Sequence, residues 1–195
     1  MLAISWNARG LGRVEKRRMI RGLVQKHSPV FLLIHESKLQ CFDRGIIRSL
    51  GGRVLTRGVG VDAIGRVGGL IVLWNEGSFV VNSCIANNRC IILEGELQNP
   101  KRLMVVCNVY AANVENERKD LWDFIVSSLA QFPVPWCLGG DFNTVLDPSE
   151  RKGSSCNMTS IRNFQSFLHR ANLVDIPLAG IRFTWTIPCL RFSSI

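Results

Sequence analysis

Val134-Pro135-Trp136-Cys137-Leu138-Gly139-Gly140-Asp141-Phe142-Asn143 is the stretch on which the fold reading turns. A short apolar run, Val134–Leu138, has the length and character of a buried strand, and it ends abruptly in two glycines, a carboxylate and an amide. Asp141 and Asn143 are two apart, so both would share one face if the extended geometry persists. Gly139 and Gly140 allow another backbone or a ligand to approach closely. A carboxylate beside an amide suits an attacking water: the carboxylate accepts its proton and the amide holds a phosphoryl oxygen.

Working outward, the same design recurs at other strand ends. Leu2–Trp6 reads as a strand ending at Asn7. Val30–Ile34 reads as a second, with Glu36 just beyond it. Arg102–Val109 leads into Tyr110 and Asn113. In α/β proteins, sites collect outside the carboxyl ends of such strands. A carboxylate at the mouth of a buried strand, such as Glu36, suits Mg²⁺, which takes one or two carboxylates and keeps several waters. Any one polar strand end is ordinary, because strand ends meet water. Four together are harder to dismiss.

Apolar spacing predicts helices over 15–26, 42–50, 117–131 and 160–171, with Asn116 as N-cap of the third. Between them, 53–56, 69–74, 79–86, 90–97 and 102–109 are rich in Val, Ile and Leu and are separated by turn residues, as in antiparallel hairpins. Residues 182–186 read as a last strand. Helices alternating with parallel strands at both ends, with hairpins between, predict two packed sheets with helices outside: a four-layer α/β/β/α sandwich. Gly58-Val59-Gly60-Val61-Asp62-Ala63 mimics a dinucleotide fingerprint, but it does not join a strand to a helix, and no dinucleotide cofactor is expected.

The 195 residues suit one domain, and 47% hydrophobic content is enough for a sizeable core. The net charge is +9, from 24 Lys+Arg against 15 Asp+Glu. A phosphate-bearing polyanion is the natural partner, with a solvated basic surface as the plain alternative. The densest basic stretch, Arg13, Lys16, Arg17, Arg18, Arg21 and Lys26, falls on the exposed face of the first helix. Seven cysteines without a Cys-x-x-Cys pair point to a reducing, intracellular compartment and no zinc site. No signal peptide is visible, and no apolar run approaches the ~20 residues of a membrane helix. Of the three histidines, His27, His35 and His169, each reads as structural. His35 alternates to the opposite face from Glu36.

Trp6-Asn7-Ala8-Arg9-Gly10, Glu36-Ser37-Lys38, Val109-Tyr110 with Asn113, and Gly139-Gly140-Asp141-Phe142-Asn143-Thr144-Val145-Leu146 occur in that order. The set resembles the endonuclease/exonuclease/phosphatase superfamily, in the form of the endonuclease domain of plant-type long interspersed element (non-LTR) retrotransposons. Arg66-Val67-Gly68-Gly69-Leu70, Asp175-Ile176-Pro177-Leu178 and Phe183-Thr184-Trp185 fit that variant too.

The resemblance implies a deoxyribonuclease-like sandwich and Mg²⁺, or Mn²⁺, as cofactor. Glu36 would hold the metal and Asn7 would order its site and the phosphate. Tyr110 and Asn113 would contact the scissile phosphate. Asp141 would orient or deprotonate the water, and Asn143 would stabilise the developing charge. The implied partner is DNA, and the implied context is a larger reverse-transcriptase polyprotein. Where members carry Leu-Asp-Arg and a terminal Ser-Asp-His, this sequence has neither. The expectation is therefore a single domain over 1–195, short of its last strands and catalytically impaired. A non-catalytic nucleic-acid-binding remnant and a phosphatase acting on a small phosphoester remain as alternatives.

Overall fold

A computed structural model describes residues 1–65, 68–151 and 157–176. The chain divides into two compact units, Met1–Asn143 and Thr144–Ile195. The first unit holds two four-stranded sheets.

In the first sheet, β1 (Ala3–Asn7) pairs parallel with β2 (Phe31–His35). β4 (Leu70–Trp74) runs antiparallel to β2, and β3 (Arg57–Val61) antiparallel to β4. In the second, β5 (Phe79–Ala86), β6 (Cys90–Gln98) and β7 (Lys101–Tyr110) form an antiparallel meander, and β8 (Trp136–Asp141) joins β7 in parallel. Parallel neighbours need a crossover. Helix α1 (Val14–His27) supplies it between β1 and β2, and α3 (Glu115–Gln131) between β7 and β8; α2 (Arg44–Gly51) follows β2.

Side-chain alternation sorts the layers. β2 is buried along its whole length. Phe31 and Leu33 join Leu70, Val72, Phe79, Ile91, Leu93 and Val106 in the core between the sheets. Leu32 and Ile34 turn the other way, onto Ile20 and Val24 of α1 and Leu50 of α2. Strands covered on both faces read as continuous apolar runs, which is how β2 reads. Beyond the second sheet, Ile92, Val105, Cys107 and Val109 are buried on the face away from the first, and α3 buries Leu121, Trp122 and Ile125. Each such side chain contributes ~1.5–3 kcal/mol when fully buried. The expected α/β/β/α sandwich is what the first unit forms.

Three local expectations change. Residues 53–56 are a turn, and the strand lies at 57–61, inside the glycine-rich segment that resembled a cofactor loop. Gly58 and Gly60 hide its period because their missing side chains make room for neighbours. A Cβ on Gly58 would lie 2.4 Å from Leu73 Cδ2, and one on Gly60 would lie 2.4 Å from the Phe42 ring. The third helix starts at Glu115, with Val114 at the N-cap and Asn116 inside the first turn. Its start is set by buried Arg118, whose guanidinium donates to the carbonyls of Ala112 (2.9 Å) and Asn113 (2.8 Å) and pairs with Glu115. The strand β8 extends through both glycines to Asp141 instead of stopping at Leu138.

In the second unit, α4 (Met158–Arg170) is capped by Asn157, whose side chain accepts from the N–H groups of Thr159 and Ser160. It buries Ile161, Phe164 and Phe167, with the latter two rings stacked at 6.0 Å. Thr144 and Ser160 hydroxyls share a 2.9 Å bond. The strand expected at 182–186 lies outside the described residues.

Replacing Gly60 with Ala places a methyl group inside the Phe42 ring's volume. Overpacking of this kind costs about 1–3 kcal/mol. Urea unfolding should show a lowered midpoint at unchanged slope, and an unchanged midpoint would mean that Phe42 is free to move aside.

Candidate functional site

The layer between the sheets is apolar for most of its length and turns polar at one end. On β7 the inward positions run Met104, Val106, Asn108, Tyr110. On β2 they run Phe31, Leu33, His35, and on β1 Ala3, Ser5, Asn7. The polar end is the carboxyl end of the parallel strands.

Asn7, Glu36 and Asp141 meet there. The Asn7 side-chain nitrogen donates to Glu36 Oε1 at 3.0 Å and to Asp141 Oδ2 at 2.7 Å. Its oxygen accepts from the Arg9 N–H at 3.2 Å. One amide thus bridges a carboxylate carried by the first sheet and another carried by the second. Tyr110, directly opposite Asp141 in the β7–β8 register, is buried. Burial raises its phenol above the ordinary value, and the charges of Glu36 and Asp141 add to this, so it remains a hydrogen-bond donor.

Glu36 reaches this place through backbone conformation. It follows β2 in the left-handed region (φ 50°), as does Lys38 (φ 53°). That region is costly for residues with a Cβ and persists only where the surroundings fix it. Here they do so from both sides. Ala8, Gly10 and Leu11 donate N–H bonds to the carbonyls of His35 (2.9 Å), Glu36 (2.7 Å) and Ser37 (2.8 Å). Ser37 and Lys38 donate to the carbonyls of Gly69 (3.0 Å) and Gly68 (3.1 Å). A Cβ on Gly69 would stand 2.2 Å from Ser37 Oγ, so glycine is required there. The Lys38 ammonium lies 3.8 Å from Glu36.

Asp141 is held equally closely. Its carbonyl accepts from Ala111 N–H at 2.8 Å, and its Oδ1 from Asn143 N–H at 3.1 Å. Asn143 is itself left-handed (φ 49°), so strand geometry ends at Asp141 and the two side chains do not simply share a face. The Asn143 amide donates one N–H to the Ala111 carbonyl at 2.6 Å, which leaves its second N–H available. Asn113 lies beyond Tyr110 in an exposed turn fixed through its carbonyl by Arg118. The glycines before Asp141 are there for packing. A Cβ on Gly139 would meet Leu33 Cδ1 of the facing sheet at 2.7 Å, and one on Gly140 would lie 2.1 Å from the Val109 carbonyl.

His35 corrects the reading of alternation. The left-handed turn at Glu36 brings its carboxylate round to the side that His35 faces, so both look toward Asp141. His35 is buried, and burial lowers its pKa from 6.5 to about 4, against the opposing pull of Asp141, Asn108 and Glu36. Its ring is neutral at pH 7. His27 ends α1 and His169 lies on α4, both exposed.

Asn108 was not singled out for a role from sequence. Its amide crosses the interior and donates to the carbonyls of Ile34 and Ile71, both at 3.0 Å. The available signal was an amide at an inward position of an otherwise apolar strand.

Glu36 and Asp141 provide hard oxygen donors, joined through the Asn7 side-chain nitrogen. That donor set fits Mg²⁺ or Mn²⁺, which need one or two carboxylates together with water. Among the described residues no group of three or more His, Cys, Asp and Glu side chains gathers in a way that could hold a metal. No helix of the described residues is long and apolar enough to cross a membrane.

Comparison with known proteins agrees with this fold. A model described as "Endonuclease/Exonuclease/phosphatase family" matches residues 4–191. No curated protein matches. Among solved structures, an AP endonuclease from Leishmania major superposes with a TM-score of 0.67 at 15% identity, covering 87% of this chain and 66% of that one. An AP endonuclease from Archaeoglobus fulgidus gives 0.63 at 14%, covering 87% and 70%. A mannosyl-6-phosphatase from Bacteroides thetaiotaomicron gives 0.60 at 14%, covering 85% and 70%. The chain spans about two thirds of the length of these structures, and identities this low establish the fold alone.

The low pKa of His35 makes a pH prediction. The unfolded chain binds its proton below 6.5 and the folded one only near 4. Stability from this group is therefore complete above pH 6.5 and is lost as pH falls toward 4, by about 1.4 kcal/mol per unit at most. Urea midpoints should fall between pH 6.5 and 5, and His35→Gln should flatten that dependence. A wild-type midpoint that is level over this range would show that His35 titrates normally.

Proposed function

Because the chain belongs to the Endonuclease/Exonuclease/phosphatase family, we propose that it is a divalent-metal-dependent phosphodiester hydrolase acting on DNA, the endonuclease domain of a non-LTR retrotransposon. The observation that carries this reading is the single Asn7 amide bonded to both Glu36 and Asp141 at the mouth of the two sheets.

Glu36, with Asn7 ordering the site, would hold Mg²⁺, or Mn²⁺ in its place. When bound, the metal offsets negative charge on the scissile phosphate and its leaving oxygen. Asp141 orients the attacking water and takes its proton as the new P–O bond forms and the old one breaks. The second N–H of Asn143 and the protonated Tyr110 phenol donate to the phosphoryl oxygens, and Asn113 secures the phosphate from the rim. The product is a nicked strand with a free 3′-hydroxyl, which in a retroelement primes reverse transcription within a larger polyprotein.

His35, beside Glu36 and facing Asp141, is buried, and burial keeps its ring neutral. That ring therefore supplies no proton to the departing alkoxide. The retroelement assignment is supported by the Trp6-Asn7-Ala8-Arg9-Gly10 and Gly139–Leu146 blocks. The similarity to a sugar phosphatase favours a second reading, hydrolysis of a small phosphoester. The +9 charge speaks against it.

Supercoiled plasmid incubated with the protein and Mg²⁺ should be nicked, and EDTA should stop the reaction. Glu36→Ala and Asp141→Ala should each lower the rate by about 10²-fold or more. Phosphate release from sugar phosphates without nicking would favour the phosphatase. DNA binding without any metal-dependent cleavage would mean a binding remnant.

A further inference from the structure

Positive charge is distributed very unevenly along the chain. Residues 9–53 hold 11 Lys+Arg against 3 Asp+Glu, a net +8 of the whole chain's +9. Leaving out Arg9, Glu36 and Lys38, which lie at the mouth of the sheets, α1, α2 and their flanking turns hold 9 Lys+Arg against 2 Asp+Glu and form the helical layer on the far side of the first sheet from the inter-sheet core.

On its outer surface, Arg18 and Arg21 of α1, Arg44 and Arg48 of α2, and Arg53 just beyond are all exposed. The two helices pack through Ile20, Val24 and Leu50, and Arg21 of α1 reaches the end of α2, its Nε 3.3 Å from the position a Cβ on Gly52 would occupy, next to Arg53. Gly52 N–H in turn bonds the Arg48 carbonyl at 3.2 Å. Arg44 and Arg48 are four apart and Arg18 and Arg21 three apart, so each pair shares a helix face. Among the described residues, none of the five forms a salt bridge. Like charges at these spacings destabilise a helix, and a bound polyanion removes that cost.

We propose that this α1–α2 face binds the phosphate backbone of duplex DNA, at a surface separate from the hydrolytic site. Neither helix carries a Phe, Tyr or Trp on which unpaired bases could stack, and the single ring, His27, stands at the end of α1. Charge on a rigid face instead suits a regular, sequence-independent array of phosphates. The 14 residues of α1 extend about 21 Å, a length that spans on the order of six phosphates of one strand. The proposal rests on nucleic acid being the partner, as in the hydrolase reading, but it does not depend on catalysis.

The test compares the protein with a variant in which Arg18, Arg21, Arg44, Arg48 and Arg53 are all Gln. Glutamine has similar helix propensity, so both helices should persist, and circular dichroism should show unchanged melting. Binding of a 30-base-pair duplex in EDTA is measured by fluorescence anisotropy across 50–200 mM salt. The variant should bind about tenfold or more weaker at 100 mM, and its log–log salt slope should flatten by about 0.9 for each phosphate that is no longer neutralised. Metal-dependent hydrolysis of bis(p-nitrophenyl) phosphate, too small to reach the helices, should be equal in the two proteins.

Equal duplex affinity and slope would overturn the proposal. So would a loss confined to binding of phosphatidylserine vesicles, which would make the face a membrane-surface site. If neither protein hydrolyses any phosphodiester, the hydrolase reading fails while the anisotropy result still decides this one.

Discussion

The Asn7 amide stands between two carboxylates that belong to different sheets, and the rest of the site depends on that meeting. Glu36 follows β2 and Asp141 ends β8, with five strands and two helices between them in the chain. Their approach is set by how closely the sheets pack at one end. Gly139 contributes by what it lacks, since a methyl group there would strike Leu33 of the facing sheet. Asn108 contributes a bond, because its amide satisfies two carbonyls of the first sheet from a strand of the second. An unpaired buried carbonyl costs roughly 1–3 kcal/mol, so any separation of the sheets at this level is opposed by polar as well as apolar terms.

The same packing explains why unusual backbone is tolerated. Glu36, Lys38 and Asn143 all adopt left-handed conformations. Such strain needs over-determination, and each is anchored by neighbours from another element: residues 8–11 and Gly68-Gly69 around Glu36, Ala111 around Asn143. His35 belongs to this framework as a buried neutral ring. Its Nδ1 and Asn108 Oδ1 fall short of a full hydrogen bond, yet Asn108 still favours the charged ring against the larger penalty of burial.

Much of this was legible in the sequence because it depends on local pattern. Runs such as Phe31–Ile34 and Cys90–Leu97 carry enough β-branched and aliphatic residues to declare buried strands, and the polar residues at their ends marked the site. What was not legible depended on partners distant in sequence. The strand at 57–61 is obscured because Gly58 and Gly60 answer to Leu73 and Phe42 and not to their own period. The third helix begins early because Arg118 gathers carbonyls from the preceding turn. The facing of His35 relative to Glu36 could not follow from alternation, since one left-handed residue resets it. Asn108 looked like one more polar strand end, and its role appears only when the second sheet lies against the first.

The charge distribution follows from the chemistry at the mouth of the sandwich. Glu36 and Asp141 present two negative groups at that mouth, and Lys38 is engaged with Glu36 and Arg89 with Glu117. Without a divalent ion that end of the molecule repels a polyanion; with one, the local sign is reversed. A site of this kind can position a phosphate but contributes little long-range attraction. In the proposed reading the attraction comes instead from the α1–α2 layer, which carries most of the chain's net positive charge. Screening in 0.15 M salt has a length of about 8 Å, so those arginines leave the carboxylates' own chemistry nearly untouched. Affinity and reactivity can then be set independently, one by exposed charge on the helices and the other by close packing between the sheets.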